Sequence, residues 1–90
     1  MSDKLAELRD RIEQIDRDLV RLIAERVALA REVGEVKREH NLPTLDPARE
    51  AVIIRRSGAL AREAGLSEDD VREIFWHLVG LSRRAQLETK

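Results

Sequence analysis

The sequence has no cysteine and no tyrosine, one phenylalanine, one tryptophan, two prolines and four glycines in 90 residues. Without cysteine there is no disulfide framework, no thiolate nucleophile and no cysteine-based zinc site, and a reducing cytoplasm is a compatible setting. The two histidines, His40 and His77, stand far apart and not at ligand spacing, so no metal is expected. No apolar run approaches the length of a membrane span, and Met-Ser-Asp-Lys leads into polar sequence, so neither an anchor nor a signal peptide is expected. A net charge of −1 argues against a nucleic-acid surface or a broad anionic-membrane surface. What remains is Leu, Ile, Val and Ala set among 39% charged residues, the composition of an all-α domain. Fourteen of the seventeen basic residues are arginine, the side chain suited to bidentate carboxylate contacts.

Residues 1–90 read as one domain, organised around the stretch from Asp3 to His40. Leu5, Leu8, Ile12, Ile15, Leu19, Leu22, Leu29, Val33 and Val36 recur at spacings of three and four, the seam of an amphipathic helix. Where the seam needs one more apolar residue between Leu22 and Leu29, it carries Arg26. At 1.5 Å per residue such a helix is roughly 55 Å long. A compact domain of this size has a radius of gyration of only about 12 Å. The helix outruns any globule the rest of the chain can build, so its seam requires a second chain and a homodimer is expected.

Ser2 or Asp3 can cap this helix, which should stop before Pro43. Asp46 followed by Pro47 starts a second helix, and Gly65 is placed to end it. Ser67 with Asp70 resembles a capping box for a third helix through Val71, Ile74, Phe75, Leu78, Val79 and Leu81. Ala61 to Val71 also has the spacing of a helix-turn-helix, but its second helix would aim Glu68, Asp69 and Asp70 at DNA phosphates. Nucleic acid is therefore not a partner.

Arg26 on the seam requires a counter-group, either a carboxylate from another helix or a bound anion. Lys37 lies eleven residues on, about 20° round the helix and roughly 16 Å further along, so the two can face one pocket. Arg9 is roughly 25 Å from Arg26 along the axis and about 100° round, too far to share its ligand, so it is either a solvated arginine or a residue that reaches the pocket of an antiparallel partner. On the third helix Phe75, Val79, Ser82 and Gln86 share a face that starts apolar and ends polar. Either the core opens to water there, or Ser82 and Gln86 offer hydrogen bonds inside a pocket. Asp46, Arg49 and Glu50 open the second helix, where they can be an ordinary exposed first turn.

Taken together these positions resemble the all-helical class of chorismate mutases. The carriers are Leu8-Arg9 with Ile15-Asp16, Ala24-Glu25-Arg26, Val33-Gly34-Glu35-Val36-Lys37, Pro43 to Glu50, and Ser82-Arg83-Arg84-Ala85-Gln86. The resemblance spans about Leu5 to Gln86 and implies an entwined homodimer of three-helix protomers. Its two sites draw on both chains, with Arg9 entering the partner's site and Arg26, Lys37, Asp46, Arg49, Glu50, Ser82 and Gln86 serving their own. The implied reaction is the Claisen rearrangement of chorismate to prephenate, in phenylalanine and tyrosine biosynthesis, without cofactor, metal or covalent intermediate. The resemblance assigns Arg9 and Arg26 to the two carboxylates and Lys37 and Gln86 to the ether oxygen. Glu50 with Asp46 takes the ring hydroxyl, Ser82 a carboxylate, and Arg49 orients the neighbouring acids. Gln86 stands where some relatives carry Glu, which implies a broad pH optimum near neutrality. Leu45 stands where some relatives carry Arg.

Three rivals share these residues. An isochorismate pyruvate lyase would use the same cationic pocket, but Glu50 suits the hydroxyl of chorismate. A regulatory module would sense chorismate or prephenate for another enzyme of the shikimate pathway, with which a complex is also conceivable. An inert helical dimer leaves Arg26 and the Ser82–Gln86 stripe unexplained.

Overall fold

Three α-helices make up the computed structural model, which describes residues 2–88 and the side chains of residues 3–88: α1 Ser2–Glu39, α2 Pro47–Glu63 and α3 Glu68–Gln86. The side chain of Ser2, one of two capping candidates for α1, lies outside the described residues, and Asp3 stands in the first turn. Asp46 caps α2 as expected, its carboxylate accepting from the Arg49 N–H at 3.1 Å. Ser67 caps α3 by accepting from the Asp70 N–H at 3.2 Å.

Two helices end in the same Schellman arrangement. In α2 the Leu66 N–H donates to the Ala61 carbonyl at 2.8 Å and the Gly65 N–H to that of Arg62, with Gly65 at φ 74°. In α1 the Leu42 N–H donates to the Lys37 carbonyl at 2.8 Å and the Asn41 N–H to that of Arg38, with Asn41 at φ 54°. Asn41 therefore stops α1 before Pro43 does.

The helix α3 packs against both others, while α1 and α2 have no Cα atoms within 8 Å of each other among the described residues. Side-chain pairings give the directions. Arg26 meets Ser82 and Lys37 meets Gln86, so α1 and α3 run parallel. Glu50 meets Arg83 and Arg62 meets Glu68, so α2 runs antiparallel to α3. The contact is close because the facing residues are small: Ala30 and Gly34 on α1, Ser57, Gly58 and Ala61 on α2, and Val79 and Ala85 on α3 are all buried. The Ser57 hydroxyl satisfies itself by donating to the Ile54 carbonyl at 2.7 Å.

The protomer measures 61 × 30 × 15 Å with a radius of gyration of 16.8 Å, against about 12 Å for a compact chain of this length. The excess is α1, whose N-terminal half extends past its neighbours. Every described side chain from Asp3 to Leu22 is exposed except that of Asp18. All nine seam residues are between 40% and 58% exposed. No helix among the described residues is long and apolar enough to cross a membrane.

Candidate active site

Seven of the eight residues singled out in the sequence line one cleft: Arg26 and Lys37 from α1, Asp46, Arg49 and Glu50 from the start of α2, and Ser82 and Gln86 from α3. Thr44 joins them from the loop, and Ile53 and Val79 supply the apolar wall. The eighth, Arg9, is an exposed residue on the projecting half of α1 and is not in this cleft.

Arg26 is half-buried, and among the described residues its partners are neutral. Its guanidinium donates to the Ser82 hydroxyl and, at 3.4 Å, to the Leu78 carbonyl. Burial holds its pKa below the ordinary arginine value, and the charges of Arg56 and Arg49 push it the same way. Arg56 lines the outward continuation of the cleft. A half-buried cation repelled by two others and, among the described residues, hydrogen-bonded only to neutral groups is arranged to receive an anion.

Lys37 and Gln86 form the second feature. The Lys37 ammonium donates to the Gln86 side-chain oxygen at 2.7 Å and to the Thr44 carbonyl at 2.9 Å. Those bonds use two of its three protons and leave one for a ligand. With Oε1 taken by Lys37, the NH₂ of the Gln86 amide is left as a donor. The polar end of the α3 stripe is therefore built into the site rather than left to water. Arg38 also donates to the Gln86 backbone carbonyl at 2.8 Å.

Gly34 makes this placement sterically possible. A Cβ there would lie 2.5 Å from the Gln86 carbonyl oxygen and 2.8 Å from its Cα. Both are backbone atoms that cannot rotate aside. Gly34→Ala gains about 1 kcal/mol of helix propensity, but forcing the helices apart costs about 1–3 kcal/mol. The expected result is a lower melting temperature. Activity is expected to fall about 10²-fold, the scale of a 1 Å misplacement. Thermal melts and kcat/KM measured on one preparation check both.

Glu50 has a cationic partner on α3. The structure brings its carboxylate onto Arg83, whose Nε and a terminal nitrogen donate to the two oxygens at 3.0 and 2.5 Å. The Arg83 hydrogen bonds keep the Glu50 carboxyl below the usual range; burial and Asp46 oppose the shift, and the Lys37 charge adds to it. Arg49 lines the cleft beside both acids, and its backbone N–H donates to the Asp46 cap. Arg83 had appeared in the sequence only as part of the Ser82–Gln86 motif. The signal for it was weak: a Glu facing a pocket requires a cation, and the choice between Arg83 and its neighbours depends on how α2 and α3 register. Among the described residues no group of three or more histidines and acids is gathered as a metal site.

The geometry can bind a small polyanion and offer hydrogen-bond donors where negative charge grows, with one ionised acceptor opposite. The family model for chorismate mutase type II matches residues 8–87. A chorismate mutase from Methanocaldococcus jannaschii is 38% identical over 86 residues, covering 96% of this chain and 87% of that protein. A bifunctional chorismate mutase/prephenate dehydratase from Aquifex aeolicus is 41% identical over 61 residues, which are 68% of this chain but 17% of that protein. Among solved structures, a conserved hypothetical protein from Pyrococcus furiosus superposes with a TM-score of 0.76 at 32% identity, covering 92% of this chain and 95% of that one. With the whole cleft inside the matched region, the chain belongs to the chorismate mutase type II family.

Proposed function

We propose that the cleft binds the chorismate dianion and carries its Claisen rearrangement to prephenate in place. One C–O bond breaks as one C–C bond forms, and no proton, electron or group leaves, so no nucleophile, base or metal is needed. Arg26 with Ser82 holds one carboxylate, and Arg9 of a second copy holds the other, fixing the compact conformer in which the reacting carbons meet. Lys37 and the Gln86 amide donate to the ether oxygen as it gains charge. Glu50, with Asp46 beside it, accepts from the ring hydroxyl, and Arg49 adds to the positive field. The observation that carries this reading is Arg26: half-buried, repelled by Arg49 and Arg56, and hydrogen-bonded to neutral groups.

The working unit is an antiparallel homodimer. Its support is the exposed seam of α1, a continuous apolar stripe that water would otherwise solvate, and the distance of Arg9 from its own cleft, roughly 25 Å along the helix. The cytoplasm is the proposed setting. The bifunctional relative supports a complex with another enzyme of the shikimate pathway, as a further element of this proposal.

Loss of chorismate absorbance, with the product identified as prephenate, tests the assignment. Binding without turnover would instead favour the regulatory module. Gln86→Glu tests the ether-oxygen role. The new carboxyl must be protonated to donate, and Lys37, 2.7 Å from the present amide oxygen, would hold it ionised. The expected optimum falls below about pH 5, the carboxylate range, whereas the parent profile stays broad through neutrality. Equal pH–rate profiles for the two proteins would remove Gln86 from this role.

A further inference from the structure

We propose that Arg83 is a positioning residue for the reaction, clamping both oxygens of Glu50 so that the carboxylate stays ionised with its remaining lone pairs turned into the cleft. This rests on the proposed role of Glu50 as acceptor for the substrate hydroxyl. The two donors, at 3.0 and 2.5 Å, are the side-on edge of one planar guanidinium. That geometry fixes the carboxylate plane as well as its charge, which a lysine point charge cannot do. A carboxylate has about four acceptor positions, so two remain after the clamp.

The register of the helices explains the choice of residue. Ser82 points from α3 toward Arg26 on α1, and the next residue is turned about 100° round the helix, toward the first turn of α2. One turn of α3 thus equips both sides of the cleft. Three charged groups face Glu50: Arg83 from α3, Asp46 from the cap of α2, and Lys37 from the end of α1. Asp46 opposes ionisation while Arg83 and Lys37 favour it, and Arg83 is the one that touches. Without Arg83 the Glu50 carboxyl rises toward its ordinary range, and the Asp46 charge pushes further in that direction. The acceptor is then lost at a higher pH than in the parent.

The test compares the parent with Arg83→Met, Arg83→Lys, Glu50→Gln and the double variant Arg83→Met with Glu50→Gln, recording kcat and KM for chorismate across pH. For Arg83→Met, kcat/KM at neutral pH is expected to fall about tenfold or more, the scale of a lost charged hydrogen-bond pair. Its acid limb is expected to move upward. Arg83→Lys should restore the acid limb in part, because the charge remains, while KM stays raised, because the fork is gone. In the Glu50→Gln background Arg83→Met should add less than about twofold, since the clamp has no carboxylate left to hold.

An unmoved acid limb in Arg83→Met, or an equal loss with and without Glu50, would overturn the proposal. If Arg83→Met fails to fold, Arg83→Lys carries the test alone, and an acid limb and KM both equal to those of the parent would overturn it. A fully active Glu50→Gln would instead overturn the underlying assignment of Glu50, so the two failures are distinguishable.

Discussion

Replacing Arg26 with alanine is expected to lower kcat/KM for chorismate by about 10²–10³-fold while changing folding stability by less than about 1 kcal/mol. The activity loss follows from removing a two-pronged carboxylate contact at the centre of the site. The small stability effect follows from what is left behind. In an ordinary buried ion pair, deleting one charge strands the other, which is strongly destabilising. Here the orphaned groups are the Ser82 hydroxyl and the Leu78 carbonyl, both able to take water in an open cleft. The lost bonds are offset by removal of a desolvated charge and of its repulsion from Arg56 and Arg49. The cationic cluster is thus a local sacrifice of stability that a dianion recovers on binding. A thermal melt and a kinetic assay on the same preparation decide the matter. Large destabilisation with modest activity loss would identify Arg26 as a structural group.

Why so much of this was legible in the sequence is a matter of range. The caps at Asp46 and Ser67 and the stop at Gly65 act over three to six residues, and the structure has each of them. The α1 seam is periodic and long, and the same 3.6-residue period puts Arg26 and Lys37 on one side of the helix, where both line the cleft. Less was legible where two helices must first be brought into register. The Arg83–Glu50 clamp joins positions 33 residues apart, and nothing local distinguishes Arg83 from Arg84. The proximity of Arg56 to Arg26 is of the same kind. In the sequence Gly34 is one glycine near the end of a long helix. Its meaning appears only when the Gln86 backbone lies against it. Pro43 is a sufficient reason in the sequence for α1 to stop, yet the left-handed turn at Asn41 comes first.

Arg9→Ala is expected to reduce kcat/KM as severely as Arg26→Ala, by about 10²–10³-fold, although Arg9 stands far from its own cleft. The projecting half of α1 carries an apolar stripe with no cover in the protomer. A second copy laid antiparallel along it would bury that stripe and deliver Arg9 to the opposite cleft. The effect should be on activity, with the dimer intact by sedimentation, because Arg9 lies off the seam.

The most direct test mixes the two inactive proteins. Arg9→Ala and Arg26→Ala chains are unfolded, combined in equal amounts and refolded, so that about half of the dimers contain one of each. In such a dimer one site carries both substitutions and the other carries neither. Recovery of about one quarter of the parent activity is expected, from one intact site in two in about half of the dimers. Activity no greater than that of the two variants alone would contradict it, because a site built within one chain is never repaired by mixing.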